Sequence, residues 1–269
     1  MPLLTTDVVV LHAFDYLETS RIFRLATRDA GIQSVLARGA RASRKRFGTA
    51  LDLFAGGVAQ IQTRPGRDLQ QLAAFDLSDA RHELSLDLDR FAAASALAEL
   101  ALRFAAGEEG GPFYDVLISA LDAVAHAPPA GATDAGLAGA WRLVAALGFA
   151  PSLEGCASCH DTVDEDSRAV PFSHAAGGVI CPLCATKVPR GRSLPPEARA
   201  ALREWMQGGG THAAEESPSA RFLPDEATRR AHLRLLREFL ERHLSDGREL
   251  RAFESWERGG IASGGRRRA

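Results

Sequence analysis

The chain has 269 residues, of which 46% are hydrophobic and 25% charged, with a formal net charge of −2. That length suffices for one large domain or two to three small ones, with cores that need no disulfide staples. No apolar run approaches the ~20 residues of a membrane helix, and the first residues, Met1 to Asp7, lack the basic and apolar regions of a secretory signal. The expected compartment is therefore the cytoplasm, where thiols stay reduced, and no membrane partner is expected.

Residues 4–77 read as β-rich. Val8 and Val10 mark a first strand, and 22–27 and 33–38 the next two, joined by a turn at Asp29-Ala30-Gly31. Residues 58–63 and 69–76 form another pair around Pro65-Gly66-Arg67-Asp68, where Pro presets φ and Gly accepts positive φ. Short strands with this punctuation predict a small barrel or sandwich.

Near Ser85 the period changes. Leu88, Phe91, Ala94, Leu97, Ala98, Ala101, Leu102 and Ala105 recur at helical spacing. Further helices are predicted over 112–125, over 134–147 with a stop at Gly148, from Pro195 to the glycines at 208–210, and, as the last, over 225–244. The final one carries Leu233, Leu236, Phe239, Leu240 and His243 on one face. Residues 208–220 have linker composition, and the Gly- and Arg-rich stretch 259–269 reads as a disordered tail.

All four cysteines lie in two pairs, Cys156-x-x-Cys159 and Cys181-x-x-Cys184, with 21 residues between the pairs. Two tight turns that each aim two thiolates at one ion complete a tetrahedral shell of four sulfurs. The expected cofactor is one structural zinc per chain. The alternatives are two buried unligated pairs, disulfides, a redox site, and the c-type haem attachment that Cys156-Ala157-Ser158-Cys159-His160 spells. Haem attachment requires export, and a thioredoxin-like site requires a βαβ context. Four thiolates leave no open position, so the metal is not expected to be catalytic. His160 and His174 are then surface residues, and Gly155, Gly177 and Gly178 serve turns, the last leading into a short strand at Val179-Ile180. No His-x-Glu, His-Glu-x-x-His or Walker A pattern occurs, so no enzyme is indicated. His82-Glu83 reads as helix surface.

Residues 21–46 hold Arg21, Arg24, Arg28, Arg38, Arg41, Arg44, Lys45 and Arg46 against one acid, Asp29, a local balance of +7 that leaves −9 for the remainder. Such asymmetry marks a phosphate-binding surface. Arg38 to Arg46, rich in small residues, reads as a flexible basic loop after a strand. Arg44, Lys45 and Arg46 are the candidate phosphate contacts, Arg38 and Arg41 line the adjacent strand face, and Arg21 extends the surface. Phe47 is expected to pack the base of the loop, with stacking on a base as the alternative. A solvated charged loop is the competing reading.

Val9-Val10-Leu11-His12 followed by Tyr16-Leu17-Glu18-Thr19-Ser20-Arg21-Ile22, then Thr27-Arg28-Asp29-Ala30-Gly31 and Ala37-Arg38-Gly39-Ala40-Arg41, resemble the opening strand, turn, hairpin and basic loop of the RecO recombination-mediator family. Leu147-Gly148-Phe149-Ala150-Pro151 before the first cysteine pair, and His243-Leu244 with Arg248-Glu249-Leu250-Arg251, resemble its later motifs. The chain departs from the family at Ala252, where a serine is usual, and in the length of 208–220.

The resemblance implies an α+β multidomain fold. An N-terminal OB-fold β-barrel spans 1–80, and a C-terminal α-helical domain is built from 81–150 and 191–256. A four-cysteine zinc module is inserted at 151–190, and a basic tail covers 257–269. It also implies a DNA repair and recombination mediator, a monomer when alone, that binds single- and double-stranded DNA and anneals complementary strands. Its implied partners are RecR and the C-terminal tail of single-stranded DNA-binding protein, and its role is to help load RecA. Arg103 and Arg142 are candidates for the rim of the site that takes the tail. The rival readings are a zinc-ribbon interaction scaffold without annealing activity and a zinc or redox enzyme.

Overall fold

A computed structural model describes residues 2–40, 51–105, 110–128, 130–163, 169–187, 191–207, 223–244 and 249–259. The chain forms two compact units, residues 1–126 and 127–269. The division falls inside the stretch 81–150. Among the described residues, no helix is long and apolar enough to cross a membrane.

The first unit opens with five strands: β1 (Leu3–Tyr16), β2 (Ser20–Thr27), β3 (Gly31–Ala37), β4 (Gly56–Gln62) and β5 (Leu69–Asp79). They close into a barrel in the order β1-β2-β3-β5-β4, the OB-type barrel that the resemblance implies. Closure requires two features that local sequence does not encode. β3 and β5 pair in parallel, Ser34 opposite Leu69 and Leu36 opposite Gln71. β1 is long enough to serve two partners, its first half pairing with β4 and its second with β2. The register of β1 against β2 shifts between Val10 and His12, a bulge at Leu11 that bends the strand and strengthens its twist.

Alternate residues of each strand fill the barrel. Val8, Val10, Phe23, Leu25, Val35, Ala59, Ile61 and Leu72 form one buried cluster, as the period of two requires. Gly57 is needed where β4 crosses β5: a Cβ there would lie 2.2 Å from the Asp76 carbonyl oxygen. The barrel is followed by a short helix, α1 (Glu83–Leu86), then α2 (Leu88–Phe104) and α3 (Gly111–His126). Asp87 caps α2, its side chain accepting from the amides of Asp89 and Arg90 at 3.0 Å. α2 packs on β1 and β2.

Two anchors fasten the helices to the barrel. Arg81 donates through Nε to Asp122 of α3 at 2.7 Å and through Nη1 to the Phe54 carbonyl at 3.2 Å. Arg28 pairs with both Asp7 and Asp115, at 3.1 and 2.6 Å, and lies over the Tyr114 ring.

The second unit contains α4 (Ala132–Ala146), a small antiparallel sheet of β6 (Val170–Ser173), β7 (Gly178–Val179) and β8 (Arg192–Leu194), then α5 (Pro196–Gln207), α6 (Glu226–His243) and α7 (Arg251–Gly259). α4 ends as the sequence suggests. Gly148 adopts φ +83° and donates to the Ala145 carbonyl while Phe149 donates to Val144, the paired closure that favours glycine at this position. Asp225 caps α6 through the Thr228 amide at 2.7 Å. Trp141 of α4, Phe172 of β6 and Phe239 of α6 meet in the core.

Two expectations change here. α6 is not the last helix: α7 follows and buries Phe253 and Trp256. Its nine residues are too few for a convincing apolar period. His174 is not a surface residue: it stands edge-on to Phe172, with Nε2 3.5 Å from Glu238, and burial lowers its pKa.

Candidate nucleic-acid interface and metal centre

The four cysteines converge. Their Sγ atoms all lie within 4.8 Å of one another, and Cys159 Sγ is 3.7 Å from Cys181 Sγ. A tetrahedral four-sulfur shell with metal–sulfur bonds of about 2.3 Å has edges of about 3.8 Å, so the cluster fits a tetrahedral metal ion such as zinc.

Backbone pairing assembles it. Residues 152–162 fold as a loose hairpin with a bridge between Gly155 and Thr162, and Ser152 bridges to Gly178 of β7. The Ala157 amide donates to the Val179 carbonyl at 2.8 Å, which sets the first pair beside the second. His160, exposed just past Cys159, takes φ +65° and lets the turn reverse. Gly178 is required because a Cβ would meet the Ser152 carbonyl oxygen at 2.3 Å.

One thiol, that of Cys156, is arranged for ionisation. Burial opposes the thiolate of Cys156, but the amides of Cys181, Cys159 and Ser158 donate to it, and its pKa falls to about 6. The Asp161 amide favours the Cys159 thiolate, yet Cys156 and its neighbours push that thiol up to about 12. Without a cation the cluster therefore carries its negative charge unevenly, because adjacent thiolates repel. A divalent ion removes that conflict for all four.

A second feature lies on the barrel. Arg24, Gln33, Ser34 and the β4–β5 loop from Thr63 to Asp68 line a groove of about 740 Å³. Arg64, Arg67, Asp68 and Gln70 are shared with an adjoining groove of about 430 Å³ that Leu36, Arg38 and Gln71 also line. Together they form one trough with four arginines and one acid. Gln70 shapes the loop: its Oε1 accepts from the Arg64 amide at 2.7 Å and its Nε2 donates to the Arg67 carbonyl.

The arginines of the barrel divide into two kinds. Arg28 is held by two carboxylates, as above. Arg21 pairs with Asp15 at 3.2 Å and lies over the Phe23 ring, so its charge is already opposed. Among the described residues, Arg24, Arg38, Arg64 and Arg67 have no carboxylate partner, and Arg24 Nε is buried with no hydrogen bond. Arg38 is exposed just past β3. Arg41, Arg44, Lys45 and Arg46, with Phe47, lie outside the described residues. Arg64 and Arg67 read in the sequence as turn punctuation; their signal is a second turn that carries two arginines.

Of the two arginines considered for a partner site, Arg103 pairs with Glu99 at 3.4 Å. Arg142 Nε donates to the Ala138 carbonyl, and burial lowers its pKa.

Residues 1–81 match the family described as Recombination protein O N terminal, and residues 85–251 match Recombination protein O C terminal. The chain belongs to the recombination protein O family. It is 39% identical over 246 residues to the DNA repair protein RecO of Anaeromyxobacter sp. (strain K), covering 91% of this chain and 92% of the relative. It is 39% identical over 186 residues to that of Syntrophotalea carbinolica, covering 68% and 70%. With that of Rubrobacter xylanophilus it shares 31% identity over 207 residues, covering 76% and 81%. Within this RecO-family chain the first match ends at Arg81, the residue that ties the barrel to α3, and the second encloses the whole cysteine cluster.

Proposed function

We propose that the chain is a DNA repair and recombination mediator of the cytoplasm, associated with the nucleoid. In this reading it binds single- and double-stranded DNA, anneals complementary strands and, with RecR, helps load RecA onto strands coated by single-stranded DNA-binding protein. The single observation that carries the reading is the pair of family matches running along almost the whole chain, residues 1–81 and 85–251.

The barrel-trough arginines that have no carboxylate partner among the described residues support it. Positive charge without a local counter-carboxylate is available to phosphates, and a barrel face with basic loops tracks a backbone without reading sequence. Arg38, Arg41, Arg44, Lys45 and Arg46 are the proposed DNA contacts, joined by Arg64 and Arg67. Arg21 contributes only if it exchanges Asp15 for a phosphate. The cysteine cluster holds one structural zinc and takes part in no chemical step; the activity is binding and annealing alone. The helical segments and the metal module serve partner contacts, including the tail of single-stranded DNA-binding protein.

An annealing assay tests the proposal. Complementary oligonucleotides precoated with single-stranded DNA-binding protein are expected to pair faster with the chain present, and deletion of that protein's C-terminal tail is expected to abolish the effect on coated strands only. No acceleration on bare or coated strands sinks the reading.

A further inference from the structure

The outer face of β1 changes character at its bulge. Up to and including it, Val9 and Leu11 are buried on the strand that α2 packs against. Beyond it, His12, Phe14 and Tyr16 turn outward, alternating with Ala13 and Asp15. Their partners on β2 are Arg24, Ile22 and Ser20, whose own partners on β3 begin with Ser34 and Leu36. None of the three rings belongs to the buried barrel cluster. Phe14 is 43% and Tyr16 41% exposed, and the His12 and Phe14 rings lie 5.8 Å apart. This half of β1 pairs with β2 alone, since β4 reaches only to Val9.

A row of exposed rings on a strand stabilises the free barrel little, because the apolar surface stays in water. Its chemistry suits a flat partner that brings its own negative charge. Arg24 sits beside His12 across the β1–β2 pair, its Nε buried and without a hydrogen bond among the described residues, and it lines the arginine trough. Rings on one side and uncompensated guanidinium groups on the other match unpaired bases and their phosphates.

We propose that Phe14 and Tyr16 form a base-stacking platform for single-stranded nucleic acid, with Arg24 as the adjacent phosphate contact. This rests on the DNA-binding reading above and adds a preference to it: a duplex keeps its bases stacked on each other, so only unpaired strands engage the rings. Stacking is tolerant of sequence because every base has a π-face.

The test compares the full-length parent with Phe14→Ala, Tyr16→Ala and the double variant. Fluorescence anisotropy is read with a labelled oligothymidine and with a hairpin duplex across a salt series. Each single substitution is expected to weaken oligothymidine binding by about tenfold. Duplex affinity and the slope against salt are expected to stay at parent values, since no phosphate contact is removed. Phe14→Trp and Tyr16→Phe are expected to retain affinity, which controls for a merely structural role. Crosslinks from an oligonucleotide carrying iodouracil are expected to map to residues 12–17. Parent-like oligothymidine binding by the double variant overturns the platform while leaving the DNA-binding reading intact. So does an equal loss on duplex, or a loss confined to a protein partner. A parent that binds neither DNA overturns both.

Discussion

Arg199 of α5 donates through Nε to the carbonyl of Leu153 at 2.7 Å, from a guanidinium that is almost wholly buried. Its Nη2 reaches the Val163 carbonyl at 3.2 Å, and Arg203 beside it bonds the Leu153 carbonyl and pairs with Glu154. One helix thus grips the backbone on both sides of the first cysteine pair. Arg199→Met removes both donors: the Val163 carbonyl loses its side-chain partner, while the Leu153 carbonyl keeps Arg203 alone, and an unsatisfied buried group costs about 1–3 kcal/mol. The expected result is a fall of about 2 kcal/mol in unfolding free energy with metal content unchanged. A urea melt that overlays the parent rejects this role.

The cysteine cluster yields a sharper contrast. Structural zinc contributes on the order of 10 kcal/mol in small modules, so Cys181→Ser is expected to loosen residues 150–190 and lower solubility. Hydrogen exchange should rise at the Ala157 amide, which donates to the Val179 carbonyl, and at the Val179 amide, which donates to the Ser152 carbonyl, and not in the barrel. Elemental analysis of the parent is expected to find one zinc per chain. Metal-free folded protein with four titratable thiols contradicts the assignment.

His232 supplies a pH dependence. It is buried edge-on to Trp205, with neither ring nitrogen hydrogen-bonded, and burial lowers its pKa to about 4. An unfolded histidine titrates near 6.5, so between these values the unfolded state binds the extra proton. Stability is then fully present above about pH 6.5 and is lost as pH falls toward 4. The loss attributable to this ring is about 2 kcal/mol between pH 7 and pH 5. His232→Phe keeps the aromatic contact and should flatten that part of the profile. Equal pH dependence of the two proteins in urea melts disproves the assignment.

What the sequence disclosed follows from how local each signal is. Pro65-Gly66-Arg67-Asp68, Gly148 and Asp225 act within a few residues of themselves, and the strands and helices they delimit are found where expected. The cysteine pairs were legible because ligand spacing is a covalent constraint. The parallel pairing of β3 with β5 was not, since it joins segments whose own periodicity is silent about their neighbours. The trough was missed for the same reason: Arg24 and Arg64 meet only once the barrel closes. Arg199 reads as an ordinary helix-surface arginine, and its burial comes from the cysteine arm laid over it. The resemblance supplied the OB topology, which alternation alone left open as barrel or sandwich.

The DNA contacts proposed for the basic segment and for the trough are separable by experiment. Each phosphate neutralised on a single strand contributes about 0.7 to the slope of log K against log salt. Replacing Arg44, Lys45 and Arg46 by alanine should therefore flatten that slope by roughly 2 if all three contact phosphates. Arg64→Ala with Arg67→Ala should flatten it by about 1.4, because both line the trough and neither has a carboxylate partner among the described residues. Arg28 is the control of opposite kind. Asp7 and Asp115 already hold it, so Arg28→Ala should lower stability and leave the slope alone. The losses at the loop and trough should be alike for every DNA sequence, since backbone contacts carry no base information. Thermal stability should barely change for the loop and trough variants, as surface charges contribute little to folding, and zinc content should not change. Anisotropy across a salt series, read for all three variants beside the parent, decides the matter. A parent slope in both the loop and the trough variants places the DNA surface elsewhere on the chain, whereas a parent slope in the loop variant alone assigns the phosphates to the trough.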